Sequence, residues 1–396
     1  MKRRIMTVAM FIMLLGASKA QNNIDNDSSN YKVRKLTLEQ VNFATGYYTQ
    51  KGNNSAVTGG IGTEKLHDIA TTINLDISKY DKRYNKHTLS LECGVDVYTS
   101  ASSDKIDPST ISSASNSDMR VYPSMNYLYS NTANRYSLGG GLSYSSEFDY
   151  VSTGANLLIS KSSKDNNRMF SARASAFFDN WKVILPVELR RVESPPQNTN
   201  RNSYNLGLVF SQVVNKEFQF ALLADIAYQK GLLGTKFNRV YFADGSLRSE
   251  NLPDNRFKLP IGVRANYFLG DNVVLRGFYR YYFDSWHLNA HTASLEVSYK
   301  LSPFISLSPS YRYYTQSAVD DFAPFKEHVP GQEFYTSDYD LSKLHTNMVG
   351  LNARFTALNG KLGLSFLHTI ELRYGYYNRS TGLNSHIITL VLTLKK

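Results

Sequence analysis

The sequence predicts an all-β chain, a transmembrane antiparallel β-barrel of about sixteen strands with short periplasmic turns and long extracellular loops. Three observations lead there. Apolar and polar residues alternate with a period of two over segments of about ten residues, the length a tilted strand needs to cross a bilayer. The connectors between those segments are short and long in turn. The N-terminus, finally, carries the marks of export.

Residues 1–20 have a basic start (Lys2, Arg3, Arg4), an apolar run from Ile5 to Gly16 and a small-x-small site at Ser18-Lys19-Ala20, the pattern of a signal peptide. Gln21 rather than cysteine follows, which argues against a lipoprotein anchor. Residues 21–38 are polar and aperiodic and read as a periplasmic lead-in, with the barrel occupying 39–396. After the signal no stretch approaches the ~18 apolar residues of a membrane helix. The 396-residue chain holds 28 Tyr and 21 Phe, as aromatic girdles require, and a single cysteine. That residue, Cys93, aligns with Leu89, Leu91, Val95 and Val97 as a small apolar strand position. The net charge of +11 is dispersed along the strands without a basic run, so nucleic acid is not an expected partner.

The expected strands begin with Val41–Thr49, Ile69–Ser78, Thr88–Tyr98 and Arg120–Tyr129. Arg135–Tyr144, Tyr150–Ser160, Met169–Phe178, Tyr204–Val214, Phe218–Tyr228 and Phe257–Phe268 follow. The clearest alternation comes next. Val273, Leu275, Tyr279, Tyr281 and Phe283 lie out of phase with Arg276, Phe278, Arg280 and Tyr282, and Leu295, Val297 and Tyr299 with Ser294, Glu296 and Ser298. Ile305–Gln316, Asn347–Thr356, Leu364–Tyr376 and His386–Leu394 complete the set.

Short connectors are expected at Lys79–His87, Ser130–Asn134, Lys161–Arg168, Asn215–Glu217, Leu269–Asn272, Ser302–Phe304 and Ala357–Lys361. Between them fall longer ones, at Gln50–Asp68, Thr99–Met119, Asp179–Ser203, Gln229–Arg256, Ser317–Thr346 and Tyr377–Ser385, with Ser145–Asp149 and Asp284–Asn289 as short exceptions. A soluble secreted β-protein, the competing fold, has no reason to segregate its loops this way. Lipid offers backbone groups no partner, so closure and an even strand count follow.

Charge decides the facing. An Arg on the lipid side costs ~2–4 kcal/mol near the midplane. Arg173, Arg264, Arg276, Arg280, Arg312, Arg354 and Arg373, each out of phase with the apolar set of its strand, are therefore expected to line the lumen. Asp76, Glu92, Asp96, Asp225, Glu296 and Glu371 share that parity. The arginines either form charge ladders with Glu296, Glu371 and Asp225 or line an anion path.

Tyr47-Tyr48-Thr49-Gln50-Lys51-Gly52-Asn53-Asn54-Ser55-Ala56-Val57-Thr58-Gly59-Gly60 and Gly94-Val95-Asp96-Val97-Tyr98-Thr99-Ser100-Ala101-Ser102-Ser103-Asp104 resemble the outer-membrane family of the domain of unknown function 3570. So do Ser113-Ala114-Ser115-Asn116-Ser117-Asp118, Arg120-Val121-Tyr122-Pro123, Ser146-Glu147-Phe148-Asp149-Tyr150 and Asp338-Tyr339-Asp340-Leu341-Ser342. The resemblance implies a Gram-negative outer-membrane location. It also implies neighbours in the envelope: a small periplasmic lipoprotein, a thioredoxin-like protein and an FAD:protein FMN transferase, hence a redox or flavin-linked system. It supplies no activity.

Candidate sites are few. Ser100, Ser102 and Asp104 are nearly duplicated by Ser113, Ser115 and Asp118 in one loop, whose oxygens suit Ca²⁺ or simple turn chemistry. Asp149-Tyr150-Val151-Ser152-Thr153-Gly154-Ala155-Asn156 approaches a flavin acceptor pattern, but Asn156 has no hydroxyl to esterify, so no cofactor is expected. His287 or His291 near Asp284 and Ser285 is the best set for a rim hydrolase. The expectation is a non-enzymatic scaffold or channel that meets outer-membrane lipid and the barrel-assembly machinery.

Overall fold

The computed structural model describes residues 36–99, 117–356 and 366–395. The expected signal, most of the expected lead-in, the turn expected at Ala357–Lys361 and the loop residues Ser100, Ser102, Asp104, Ser113 and Ser115 lie outside them. Sixteen strands close into one antiparallel barrel. They are β1 (Thr37–Gly52), β2 (Glu64–Tyr80), β3 (Lys86–Thr99), β4 (Ser117–Asn131), β5 (Tyr136–Ser146), β6 (Tyr150–Ser162), β7 (Arg168–Trp181), β8 (Asn200–Val213) and β9 (Phe218–Gly231). After a two-stranded hairpin, β10 (Arg239–Tyr241) and β11 (Leu247–Ser249), the wall resumes with β12 (Asn255–Leu269), β13 (Val273–Asp284) and β14 (Asn289–Lys300). It ends with β15 (Ile305–Gln316), β16 (Leu344–Thr356), β17 (Leu367–Arg379) and β18 (Asn384–Lys395). β18 pairs with β1 from Gln40↔Lys395 to Lys51↔Asn384, which leaves no free edge in the wall.

The cross-strand register fixes the two faces. Val41, Phe43 and Tyr47 lie against Leu75, Ile73 and Ile69, and these in turn against Leu91, Cys93 and Val97, a continuous apolar exterior. Leu142, Leu157, Leu295, Val349 and Ile388 belong to the same exterior and are all exposed. Residues of opposite parity pair among themselves on the interior, as in Gln40↔Asp76↔Ser90. Apolar surface that no side chain covers is what a hydrocarbon solvent accepts.

Most fully buried apolar side chains lie at the long-loop end. Val240 and Phe242 of the hairpin pack with Tyr335 from residues 317–343. Trp286, Leu288, Ala290 and Val319 form a second small core beside them. The loop segments thus fold into a cap with its own interior, which sequence periodicity did not anticipate.

Differences from the expected boundaries share one cause. β1 starts at Thr37, inside the expected lead-in, and β8 starts at Asn200 rather than Tyr204. Strand ladders continue past the apolar belt, where both faces meet water and alternation vanishes. The segment Tyr377–Ser385, expected as a longer connector, is mostly strand. Only 380–383 turn, with Gly382 at φ +88° donating its N–H to Arg379 O at 2.9 Å.

Candidate functional site: the lumen and its cap

The register puts Arg276 opposite Glu296, Arg280 opposite Thr292 and Arg312 opposite Ser294, all on the interior. Arg354 faces Ser306 and Glu371; Arg373 faces Asn352. On the other side Arg264 faces Ala221, and Arg173 and Asp225 flank Gly207. Arg276, Glu296, Arg354, Glu371 and Arg373 line one recess of about 580 Å³ in the inner wall.

Two of these arginines find an acid. Arg276 pairs with Glu296. Arg373 Nη2 lies 2.7 Å from Glu371 Oε1, which also accepts from Asn352 Nδ2 at 2.7 Å. Among the described residues, Arg173, Arg264, Arg280, Arg312 and Arg354 have no carboxylate at ion-pair distance. All seven arginines are nevertheless solvent-exposed inside the barrel. A packed lumen would bury them. The acidic interior residues Asp76, Glu92 and Asp96 sit on β2 and β3, about half the ring of strands away from β12 and β13. A second recess of about 580 Å³ is lined by Glu92, Arg120, Asp179, Arg201 and Lys258. There Arg201 Nε meets Asp179 Oδ2 at 2.7 Å.

The cap is held by buried polar groups that sequence reasoning missed. Arg239, 6 % exposed, donates to Val57 O at 2.8 Å and meets Glu188 Oε2 at 2.8 Å, so one guanidinium ties three loop segments. Glu250 accepts from Thr235 N at 2.6 Å and from the Thr336 hydroxyl. Burial pushes its carboxyl up and pushes the Lys236 ammonium down. Asp338 is pushed up to about 8 by burial first, then by Asp340 and Glu250. Arg379, at the end of β17, pairs with Asp340 and lies 3.6 Å from Glu64 of β2. These residues are separated by long sequence intervals, and only the loops' tertiary packing brings them together.

The rim hydrolase set does not assemble. Asp284 is engaged by Arg256 and by Tyr282 Oη at 2.7 Å, and accepts from Trp286 N at 2.9 Å. His287 pairs instead with Asp320, Ser285 Oγ accepts from Phe257 N at 3.0 Å, and His291 Nδ1 meets Tyr279 Oη at 2.8 Å. Asn156 lies mid-strand on the interior and donates to Asn126 Oδ1 at 3.2 Å. Of the serine and aspartate loop motif, Asp118 is described. It gathers with Glu147 and Asp149, ligand oxygens within 4.8 Å of one another, a set able to hold a hard cation. Burial, then Asp118 and Glu147, push Asp149 up to about 6.

The profile of the proteins of unknown function DUF3570 matches residues 5–387. The chain belongs to the DUF3570 family. No curated protein matches the sequence. Among solved structures, this DUF3570 barrel resembles a BenF-like porin from Pseudomonas fluorescens Pf-5, at 8 % identity, TM-score 0.45, covering 91 % of this chain and 98 % of that one. It also resembles a bacterial polysaccharide outer membrane secretin (9 % identity, TM-score 0.48, 91 % and 99 % covered). A third is OccD3 (OpdP) of Pseudomonas aeruginosa (9 %, 0.46, 92 % and 92 %). Nothing these proteins carry transfers to the DUF3570 chain at such distances.

Proposed function

We propose that the protein is a non-enzymatic channel in the outer membrane of a Gram-negative cell, with its short turns in the periplasm and its folded cap outside. The observation that carries this reading is the set of exposed interior arginines, Arg173, Arg264, Arg280, Arg312 and Arg354, that have no carboxylate at ion-pair distance among the described residues. A scaffold gains nothing from unpaired arginines along an aqueous inner wall, whereas a channel gains local anion concentration from them. The rim His/Asp/Ser set lends no support to the hydrolase alternative, since each member is bonded elsewhere. On this reading the barrel-assembly machinery inserts the chain. The lipoprotein and FMN-transferase-linked partners rest on the family resemblance alone.

Refolded protein in planar bilayers tests it. Under a KCl gradient, Arg280→Ala with Arg312→Ala should move the reversal potential toward cations, with anion preference falling about two- to fivefold. A correctly closed barrel that passes no current would leave the scaffold reading in its place.

A further inference from the structure

Four consecutive hairpins, β13/β14, β15/β16, β17/β18 and β1/β2, share a feature on the outer wall. Each carries an exposed histidine at the start of its second strand, paired with a tyrosine of its first. Tyr279 Oη lies 2.8 Å from His291 Nδ1, Tyr374 Oη 2.9 Å from His386 Nδ1 and Tyr47 Oη 2.9 Å from His67 Nδ1. In the fourth, the Tyr313 and His345 rings stack with centroids 6.3 Å apart. The register strings them together, as Tyr281↔His291↔Thr315↔His345 in one row and Tyr376↔His386↔Thr49↔His67 in another. One outward step toward the loops, Lys51 stands opposite Lys65, both exposed. Ile69, Leu295, Val349 and Ile388 lie on the other side, in the apolar belt.

Among the described residues, the outward set of these eight strands holds no Asp or Glu. The groups facing the imidazoles are Tyr47, Tyr279, Tyr281, Tyr313, Tyr374, Tyr376, Lys51 and Lys65. Where the phenol donates to Nδ1, the imidazole bears its N–H at Nε2, a hydrogen-bond donor at the boundary between apolar wall and loops. Such a band is complementary to one neighbour in a bilayer, the phosphate of a lipid headgroup.

We propose that the outward Tyr/His band of these four hairpins docks lipid headgroup phosphates, Lys51 and Lys65 adding fixed positive charge. This rests on the membrane reading above. Wild type and the His67→Gln/His291→Gln/His345→Gln/His386→Gln variant are reconstituted in phosphatidylcholine vesicles containing phosphatidic acid or, in parallel, diacylglycerol. Retained lipid is then counted by native mass spectrometry. Wild type should keep phosphatidic acid over diacylglycerol by about tenfold, and the variant should lose most of that preference.

Equal retention by wild type and variant, or displacement by excess inorganic phosphate, overturns the docking surface. Should the fourfold variant not fold, the four single His→Gln variants are counted instead, and an unchanged phosphatidic acid preference in all of them overturns it equally. Failure of wild type to enter either vesicle sinks the membrane reading itself, and is distinguished by the loss of carbonate-resistant incorporation.

Discussion

At the scale of the residue, the interior is a set of individually fitted polar contacts. The Tyr122 ring lies across Gly94, where an added Cβ would come within 2.1 Å of it, and its hydroxyl donates to Asp96 Oδ1 at 2.8 Å. Gly94→Ala must displace that ring, and should cost about 1–3 kcal/mol in urea titration of the refolded barrel. Arg256 lies over the Trp286 ring at 4.1 Å and pairs with the buried Asp284. Removing it leaves a carboxylate in a closed site. Arg256→Ala should therefore destabilise by about 3 kcal/mol, while Arg256→Ala with Asp284→Asn recovers much of the loss.

The elements show how far the sequence could be read, and why it stopped. Each wall strand was legible where one face meets hydrocarbon and the other water, because only that asymmetry writes a period of two. β10 and β11 were not, since three residues carry no periodicity. The arginines' parity was equally readable, but which of them find an acid was not, because pairing depends on how neighbouring side chains reach one another: Arg276 and Arg373 are paired, and five others have no carboxylate at ion-pair distance among the described residues. The cap follows the same logic: Arg239, Glu250 and Asp338 are ordinary loop residues until the loops meet.

That packing makes the cap sensitive to pH. A carboxyl raised to about 8 when folded favours the protonated native state, so its contribution is full at low pH and is lost as pH rises through about 8. Protection factors for hydrogen exchange across 317–343, taken relative to the intrinsic rate at each pH, should fall between about pH 5 and about pH 8, and Asp338→Asn should flatten that profile. Replacing 235–251 with a short Gly/Ser linker should raise single-channel conductance. Unchanged conductance would show that the cap stands clear of the ion path.

For the molecule as a whole, closure rests on one seam. Every other wall pair joins strands that are neighbours in sequence, apart from the excursion of β10 and β11 between β9 and β12. In a Cys93→Ala background, Thr45→Cys with Leu390→Cys, which face each other across β1 and β18, should form a disulfide. The oxidised barrel should then resist the heat-induced shift in electrophoretic mobility, and the reduced one should not. The seam also sets the last step of closure. The two strands it joins stand at opposite ends of the wall's sequence, so an assembling sheet carries two unsatisfied rims until β1 and β18 meet. A chaperone or insertase must shield both rims until then, and a chain clipped before β18 leaves an open sheet able to zip onto its neighbours.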